Sequence, residues 1–317
     1  MKRLFALLLC LLLLAGLCAC SSNKPEGNND KDEQQSQTEP DRTDGVTDTE
    51  PEATAAPSVP AKFDPKDASL EEITVVDNDE CVIKINGIEY DDFWGYVVKV
   101  YFENKSEDKT FMFTAQEASV NGMDWPVLCI EEVAPGKKAN EDMNFLDDDL
   151  NELIPVFTDI EVTFRVYDSN DWSADDVVLE TVHLYPFGEE NASVFVREPQ
   201  STDIVLVDND DITVIATSCE EDSIWGYVVK IYIINKTDLT LMFSADEVSV
   251  NGFMCDPYWG KSLSPGKTAF SNMTWSSSDF EDNGITEVEE IEMLLRVYDY
   301  DNWLSDDIYN ETVTINP

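Results

Sequence analysis

The six-residue sequence WGYVVK occurs twice in this chain, at residues 94–99 and 225–230, and an Asn-Lys pair follows each copy closely. In the first copy Trp94, Tyr96 and Val98 alternate with smaller or charged residues, which is the period of a β-strand. We expect the face with these three residues to be core, because each large apolar side chain left exposed costs roughly 1.5–3 kcal/mol. The duplication itself predicts a chain built from two strand-rich copies.

The duplication extends far beyond this strand. Three further sequences recur in the same order, namely Ser-Val-Asn-Gly at 119–122 and 249–252, Pro-Gly-Lys at 135–137 and 265–267, and Arg-Val-Tyr-Asp at 165–168 and 296–299. Trp225 follows Trp94 by 131 residues, and Ser249 follows Ser119 by 130. A nearly constant offset of this length indicates two copies of one fold.

The N-terminal residues have the composition of a secretory signal peptide, expected over residues 1–19. Lys2 and Arg3 precede an apolar run at 4–17, which is shorter than the roughly 20 residues of a membrane-spanning helix. The closing Leu-Cys-Ala-Cys resembles the bacterial lipobox. This resemblance implies that Cys20 is lipidated and holds the chain on a membrane surface. The alternative is an ordinary signal peptide that is cleaved after a small residue.

Residues 20–62 are rich in Ser, Thr, Asp, Glu and Pro and contain almost no large apolar side chain. Such a segment cannot bury enough surface to offset the conformational entropy of folding, so we predict a disordered acidic tether. The whole chain carries a formal net charge of −46. This charge excludes nucleic acid as a partner by repulsion and favours cations, basic proteins or neutral surfaces.

The remaining sequence predicts an all-β fold. Alternating runs between Asn-Lys, Asn-Gly and Pro-Gly turns predict strands in the first copy at 73–76, 81–90, 93–104, 110–114, 118–125, 137–144, 160–167 and 177–185. One short helix is expected at 147–154, where acidic residues lie in the first turn. We expect two tandem immunoglobulin-like antiparallel β-sandwiches over residues 63–186 and 203–317, with a connector at 187–202.

The order of these motifs carries a family resemblance. A Trp-bearing strand, an Asn-Lys turn, a Ser-Val-Asn-Gly hairpin, a Pro-Gly-Lys turn and an Arg-Val-Tyr-Asp strand resemble the telokin-like, immunoglobulin-fold domains of bacterial surface lipoproteins. The resemblance covers roughly residues 65–317. It implies a lipid-anchored, extracytoplasmic protein of the bacterial cell envelope, but these are motifs of turns and core and imply no chemistry.

Acidic residues recur at equivalent places after the two Arg-Val-Tyr strands. They are Asp168, Asp171, Asp175 and Asp176 in the first copy and Asp299, Asp301, Asp306 and Asp307 in the second. Calcium binds six to eight oxygen ligands, and loops this rich in carboxylates could supply several of them. The loops lack the Gly and the closing Glu of an EF-hand, and Asp and Asn also make turns by bonding their own backbone. Calcium sites and ordinary turns both fit the pattern.

A second repeated set is expected on the outward faces of strands. If the Trp strand pairs with the Arg-Val-Tyr strand, as in immunoglobulin-like sandwiches, one sheet face carries the whole set. The residues are Lys99, Tyr101, Arg165 and Tyr167 in the first copy and Lys230, Tyr232, Arg296 and Tyr298 in the second. Such a face could bind an acidic or aromatic protein partner, or its cations could stack on tyrosine rings within the sheet.

Four cysteines lie in the predicted domains, Cys81 and Cys129 in the first and Cys219 and Cys255 in the second. Each pair has one cysteine on an early strand and one after the Ser-Val-Asn-Gly hairpin. An intradomain disulfide in each copy is therefore possible outside the cell. Buried free thiols are the alternative, and no Cys-x-x-Cys motif or Cys–His pairing indicates a metal site.

Enzyme motifs are not evident in this sequence. His183 is the single histidine, and the second copy has Thr314 at the equivalent position, which excludes a Ser-His-Asp apparatus repeated in both copies. We therefore expect a membrane-anchored extracellular lipoprotein that acts as a noncatalytic binding or spacer module, with no cofactor unless calcium binds. The alternatives are calcium-dependent adhesion through the acidic loops and a hydrolase that uses two carboxylates.

Overall fold

The computed structural model describes residues 63–171, 173–222 and 225–317. The predicted signal peptide, the lipidation site Cys20 and the tether lie outside these described residues. The described part consists mainly of β-strands in antiparallel sheets, which confirms the all-β prediction. A search of these residues finds no helix that is long and apolar enough to cross a membrane.

The first half contains ten strands and one short helix. In chain order they are β1 (Ile73–Asp77), β2 (Cys81–Asp91), β3 (Gly95–Asn104), β4 (Phe111–Val120), β5 (Met123–Asp124), β6 (Val127–Leu128), β7 (Ile130–Val133), β8 (Lys138–Phe145), α1 (Asp148–Leu153), β9 (Ile160–Asp168) and β10 (Val178–Leu184). One sheet has the order β1-β2-β3-β8-β6, and the other contains β10-β9-β4 with β5 and β7 paired to β4.

The second half repeats this plan. Its elements are β11 (Ile204–Asp208), β12 (Ile212–Asp222), β13 (Gly226–Asn235), β14 (Leu241–Val250), β15 (Phe253–Met254), β16 (Lys261–Leu263), β17 (Thr268–Trp275), α2 (Ser277–Asn283), β18 (Ile291–Asp299) and β19 (Tyr309–Ile315). The order β11-β12-β13-β17 matches β1-β2-β3-β8, and β19-β18-β14 matches β10-β9-β4. The counterpart of β6 is a single bridge between Tyr258 and Thr274.

In each half the two sheets pack face to face around a core of their own. Phe102 of β3 stacks on Phe113 of β4, with ring centroids 4.8 Å apart, and both side chains are fully buried. In the second half Ile233 of β13 and Phe243 of β14 are the equivalent buried residues. The alternation read from the sequence therefore points its apolar side inward, because only that side can exclude water between the sheets.

The Asn of each Asn-Lys pair is a buried structural residue. Asn104 is fully buried and donates hydrogen bonds from Nδ2 to the carbonyls of Lys109 and Val133, both at 2.8 Å. Asn235 is 1% exposed and donates to the carbonyl of Leu263 at 2.9 Å. Each side chain thus links the end of β3 or β13 to β7 or β16 near the opposite sheet. A buried amide is stable only when satisfied in this way, which explains its recurrence.

The tryptophan of the repeated WGYVVK sequence is not in the core. Trp94 is 39% exposed and Trp225 is 56% exposed, so the expectation of a buried face that begins at the tryptophan is wrong. Gly95 and Gly226 have φ of +71° and +84°, and this left-handed backbone turns the chain between the tryptophan and the strand. In the first half the buried face begins at Tyr96, which is 1% exposed.

Two predicted strands of the first half are one strand in the structure. The runs at 110–114 and 118–125 merge into β4, whose pairing with β9 shifts register between Ala115 and Glu117. A hairpin at Asn121 and Gly122 then leads into β5. Polar residues lie next to the register shift, so apolar and polar residues no longer alternate there. The strand prediction relied on that alternation and therefore divided β4 in two. The predicted helix at 147–154 is observed as α1.

Gly226→Ala and Gly95→Ala form a matched pair that tests this turn. A Cβ on Gly226 would overlap the carbonyl oxygen of Trp275, whereas a Cβ on Gly95 would meet only Asn151 Oδ1 at 3.7 Å. Both substitutions carry the cost of a left-handed non-glycine residue, about 1–2 kcal/mol, and Gly226→Ala adds a backbone clash. We expect Gly226→Ala to lower Tm at least twice as much in a calorimetric melt. Equal shifts would contradict this account.

Candidate functional site

The acidic loops form turns with their own carboxylates. Asp168 Oδ1 accepts a hydrogen bond from the amide of Asn170 at 3.0 Å, and Asp171 Oδ1 accepts from the hydroxyl of Ser173 at 2.7 Å. In the second half Asp299 Oδ1 accepts from the amide of Asp301 at 3.0 Å. These are local side-chain-to-backbone turns of the kind that Asp and Asn favour without any ion.

Two of the predicted calcium ligands are paired with arginine. Arg165 Nε donates to Asp176 Oδ1 at 2.7 Å. Arg296 Nε contacts both carboxylate oxygens of Asp307 at 3.0 Å, and this hydrogen bonding lowers the pKa of Asp307. The neighbouring Asp175 and Asp306 are exposed. Among the described residues no group of three or more His, Cys, Asp or Glu side chains is arranged to hold a metal ion. Calcium binding stays a prediction.

The Lys, Arg and Tyr residues expected on one sheet face lie on two different sheets. Strand β3 pairs with β2 and β8, whereas β9 pairs with β4 and β10. Lys99 and Tyr101 are therefore separated from Arg165 and Tyr167 by the core of the sandwich. The second half divides its set in the same way, with Lys230 and Tyr232 on β13 and Arg296 and Tyr298 on β18. The prediction of a common face is wrong because the assumed strand pairing does not occur.

The cations of this set already have partners within their own sheets. The guanidinium of Arg165 lies 4.6 Å from the ring centroid of Tyr167, and that of Arg296 lies 4.5 Å from the ring centroid of Tyr298. The lysines pair with acids of neighbouring strands, Lys99 with Asp142 at 2.9 Å and Lys230 with Glu220 at 2.7 Å. These contacts are intramolecular stacking and surface ion pairing, each worth about 1 kcal/mol or less.

The cysteines are free thiols, so the structure does not contain the suggested disulfides. Cys81 lies opposite Asn104 in the β2–β3 pairing, and the Asn104 side chain donates to the carbonyl of Val133. The carbonyl of Cys129 accepts a hydrogen bond from the amide of Ala115. Cys129 and Val133 are four residues apart along an extended segment, roughly 13 Å, so the two thiols lie at different levels of the sandwich. A disulfide needs Cα atoms within about 7 Å of each other. Cys219 and Cys255 of the second half are free thiols as well.

The feature that the sequence analysis missed is the junction between the two halves, which belong to one compact unit. Strand β5 of the first half pairs in parallel with β17 of the second, with Met123 opposite Thr268. The amide of Thr268 donates to the carbonyl of Gly122 at 3.0 Å. One nine-stranded sheet therefore runs from β10 in the first half to β11 in the second. The buried Met123 lies at its centre.

An apolar row on the outer face of the second half packs against the first half. Ile215, Tyr232 and Phe270 are opposite one another on β12, β13 and β17, and Ile234 lies two residues beyond Tyr232. Tyr232 is only 4% exposed and belongs to the same buried cluster as the core of the first half, and the other three residues pack against this cluster. Tyr232, predicted to be an outward partner-binding residue, is thus buried inside the molecule, because the second half uses this face as an internal interface.

The sequence contained a signal for this junction. The row at the equivalent position of the first half consists of Lys84, Tyr101 and Asn140, with Glu103 beyond it. Three of these four positions change from polar to apolar in the second copy, to Ile215, Phe270 and Ile234. A comparison of the two copies position by position therefore marks the buried outer face, whereas the alternation within either strand alone does not.

Ion pairs and a hydrogen bond surround the apolar row. Lys261 of β16 pairs with Asp124 of β5, next to the bridge between the sheets. Lys267 Nζ contacts Glu161 Oε2 of β9 at 2.6 Å, and both side chains are largely buried, with exposures of 16% and 23%. A third contact joins Ser264 Oγ to Glu117 Oε2 at 2.8 Å. These partly desolvated pairs are expected to orient the halves more than to hold them together.

His183 belongs to the same charged network. Its Nε2 lies 3.1 Å from Glu161 Oε2, and its Nδ1 lies 2.8 Å from Asp159 Oδ1. Tyr185 stacks on the imidazole, with centroids 5.7 Å apart. Glu161 thus connects the histidine to Lys267 across the junction. The single histidine of the chain holds two carboxylates of β9 and its flanking turn in place at the edge of the interface.

The connector is anchored to both halves. The amide of Phe195 donates to the carbonyl of Asn121 at 2.7 Å, in the hairpin that leads into β5. Arg197 makes two hydrogen bonds to the Asp203 carboxylate, at 2.8 and 2.6 Å, which lowers the pKa of Asp203. The same guanidinium lies 5.6 Å from the ring of Tyr232. The connector is therefore part of the junction, and such fixation restricts bending between the halves.

Alkylation of the thiols tests the cysteine assignment. Burial raises the pKa of Cys81 to about 11 and that of Cys129 to about 12, so neither forms thiolate at pH 8 in the native protein. We expect both to react with iodoacetamide at least tenfold more slowly before unfolding than after it, with the less buried Cys219 reacting first. Detection of Cys81–Cys129 or Cys219–Cys255 disulfide peptides in the unreduced protein would contradict the assignment.

A thermal melt in excess calcium and then in chelator tests the acidic loops. A ligand present at a hundred times its Kd adds about 2.7 kcal/mol when it binds only the folded state. We expect no calcium-specific rise in Tm, because Arg165 and Arg296 occupy carboxylates that the ion would need. Matched magnesium and an Asp171→Asn/Asp301→Asn variant are the controls. A rise with calcium alone that this variant abolishes would restore the calcium site.

Comparison with known proteins leaves the internal duplication as the main guide to function. The chain matches no protein-family model, and a search of the curated proteins found no match. The resemblance to telokin-like lipoprotein domains therefore rests on the motifs of this sequence. The site that the geometry supports best is the junction around Met123, Tyr232 and Lys267, which is an interface between the two halves.

Proposed function

We propose that this chain is a noncatalytic extracellular lipoprotein in which two immunoglobulin-like sandwiches act in tandem as a stiff spacer that presents binding surfaces. The observation that carries the proposal is the nine-stranded sheet that continues from one half into the other. A flexible two-domain protein would join its sandwiches by a solvated linker alone. Here the linker, a strand pairing and an apolar interface all oppose bending.

The apolar row supplies most of the free energy of this junction. Complete burial of a large apolar side chain stabilises by roughly 1.5–3 kcal/mol, and in this row Tyr232 is buried while Ile215, Ile234 and Phe270 are partly buried. The sum is on the order of several kcal/mol, which exceeds the 0–1 kcal/mol typical of a single exposed ion pair. The junction is therefore expected to stay closed under ordinary thermal motion.

The immunoglobulin-like arrangement is part of the proposal and rests on the sheet order. Each half pairs an early hairpin with a later strand in one sheet, as in β1-β2-β3-β8, and the other sheet is β10-β9-β4 or β19-β18-β14. Two antiparallel sheets around one core in slightly more than one hundred residues is the plan of such sandwiches. The same plan twice in series gives a repeat array of two units.

The noncatalytic character is supported by how the reactive side chains are used. His183 lies between two carboxylates next to the junction, and Arg165 and Arg296 hold the acidic loops. Burial raises the pKa of the Cys81 and Cys129 thiols, so they are poor nucleophiles. The groups from which catalysis is usually assembled are thus engaged in structural contacts.

The location of the protein follows from the N-terminal sequence in this proposal. Lipid on Cys20 attaches the chain to the outer side of a membrane of the bacterial envelope, and residues 20–62 separate the sandwiches from the lipid surface. A net charge of −46 keeps the folded part away from anionic headgroups. Partners are then proteins or other surfaces outside the cell rather than nucleic acid.

Replacing junction residues with their first-half counterparts tests the spacer. Ile234→Glu together with Phe270→Asn restores the polar residues found at Glu103 and Asn140, and should open the junction without altering either core. We expect a broader distance distribution in small-angle X-ray scattering and faster proteolysis in the connector. Glu103→Ala with Asn140→Ala, on the equivalent free face, should leave both measurements unchanged. A double variant that scatters like the wild type would contradict the proposed stiffness.

Cys20→Ser tests the lipid anchor independently of the sandwiches. In a bacterial host that lipidates exported proteins, the wild type should incorporate labelled palmitate and sediment with membranes. The variant should lose the label and appear in the soluble fraction, because a lipobox cysteine is the only attachment point that the proposal provides. Cys10→Ser is the matched control and should behave as the wild type. Labelling that persists in Cys20→Ser would reject this anchor.

A further inference from the structure

The two halves have equivalent ends, and within the part of the chain that the structure describes only the end of the first half is covered. In the first half β5 follows the hairpin at Asn121 and Gly122 and pairs with the last two residues of β4, and this end docks on the second half. In the second half β15 follows Asn251 and Gly252 and pairs with the last two residues of β14. The positive φ values agree closely, 51° at both asparagines and 77° and 80° at the glycines.

The second end exposes apolar side chains where the first buries one. Met123 of β5 is fully buried at the junction, whereas its counterpart Phe253 is 49% exposed. Met254, next along β15, is 66% exposed, and Tyr258 close behind it is 75% exposed. Exposed large apolar residues at a sheet edge are typical of a protein interaction surface.

The acidic residues that accompany the first end recur at the second. Glu117 and Glu161 contact Ser264 and Lys267 across the junction. Their counterparts in the second half are Glu247 and Glu292, which are both exposed. The pair Asp124–Lys261 has no charged equivalent here, because Met254 stands in place of Asp124. The second end is therefore more apolar than the first. Its Glu292 is positioned like Glu161, which contacts Lys267.

We propose that the β15 end of the second half, defined by Phe253, Met254, Tyr258, Glu247 and Glu292, docks on a sheet edge of a partner protein. That edge would have an apolar outer face and a lysine opposite Glu292. The second half offers this chemistry to the first half, because Tyr232 of the apolar row joins the first-half core and Lys267 pairs with Glu161 of β9. The partner is thus a β-sandwich domain of another protein that continues the array in the same head-to-tail manner.

A second copy of this chain does not fit as the partner. Its own apolar row is already covered, and the equivalent face of its first half carries Lys84, Glu103 and Asn140. Glu131 stands where Lys261 stands in the second half, so Met254 would meet a carboxylate. Self-association would also bring together chains that each have a net charge of −46. Head-to-tail contacts between copies of this chain are therefore disfavoured. Such contacts do not close on themselves and would otherwise build filaments of indefinite length.

An acceptor built into the chain itself provides the probe. Four substitutions convert the free face of the first half into the proposed acceptor, namely Lys84→Ile, Glu103→Ile, Asn140→Phe and Glu131→Leu. Lys137 already occupies the place of Lys267. Adding Phe253→Asp and Met254→Asp to this acceptor chain removes its own docking end. The donor is the wild-type chain, and the matched control is wild type carrying only Phe253→Asp and Met254→Asp.

Sedimentation velocity of these mixtures gives the outcome. We expect a one-to-one complex of acceptor and wild-type chain, with a Kd at least tenfold lower than for acceptor and control, while each chain alone stays monomeric. A folded acceptor that binds wild type no better than control overturns the proposal, and so does an acceptor that associates with itself. If the acceptor fails to melt cooperatively, Glu103→Ile with Asn140→Phe replaces the fourfold graft, and the same ranking is required.

Discussion

The structure depends on the burial of one outer sheet face that would normally be wet. Ile215, Tyr232 and Phe270 form an apolar row across three strands of the second half, and Tyr232 of this row joins the buried core of the first half. Burial of this row excludes water from the junction. The connector, the pairing of β5 with β17 and the neighbouring ion pairs all lie at the same junction. Two halves that each have a core of their own thereby belong to one compact unit.

The charge distribution follows from the same arrangement. A chain with net charge −46 repels itself, and its few cations are placed where carboxylates crowd. Lys267 and His183 hold Glu161 at the junction, and Arg165 and Arg296 hold the acidic loops in each half. The loops that suggest calcium in the sequence hold their carboxylates with arginine and backbone amides. The acids on the outer surface then favour basic or apolar partners at the remaining free end.

The fold class and several structural roles could be predicted from the sequence. Alternation located most strands of the first half, and an acidic first turn located α1 near its observed bounds. The shared sheet face failed because alternation gives the side of a strand but not its neighbours, which depend on contacts far apart in sequence. The tryptophan failed because a glycine with positive φ turns the chain just after it. The suggested Cys81–Cys129 disulfide failed because the two thiols lie at different levels of the sandwich, which the sequence pattern does not reveal.

The sequence alone determined that the chain is duplicated, that it is rich in strands, and which side of most strands faces a core, because these are properties of local period and composition. Only the tertiary structure decided what the copies do to each other. The change from Lys84, Glu103 and Asn140 to Ile215, Ile234 and Phe270 was visible in the sequence. Its meaning required the packing, since Tyr232 is buried at the junction whereas its counterpart Tyr101 is only partly buried. Environment, rather than residue pattern, distinguishes an interface from a surface.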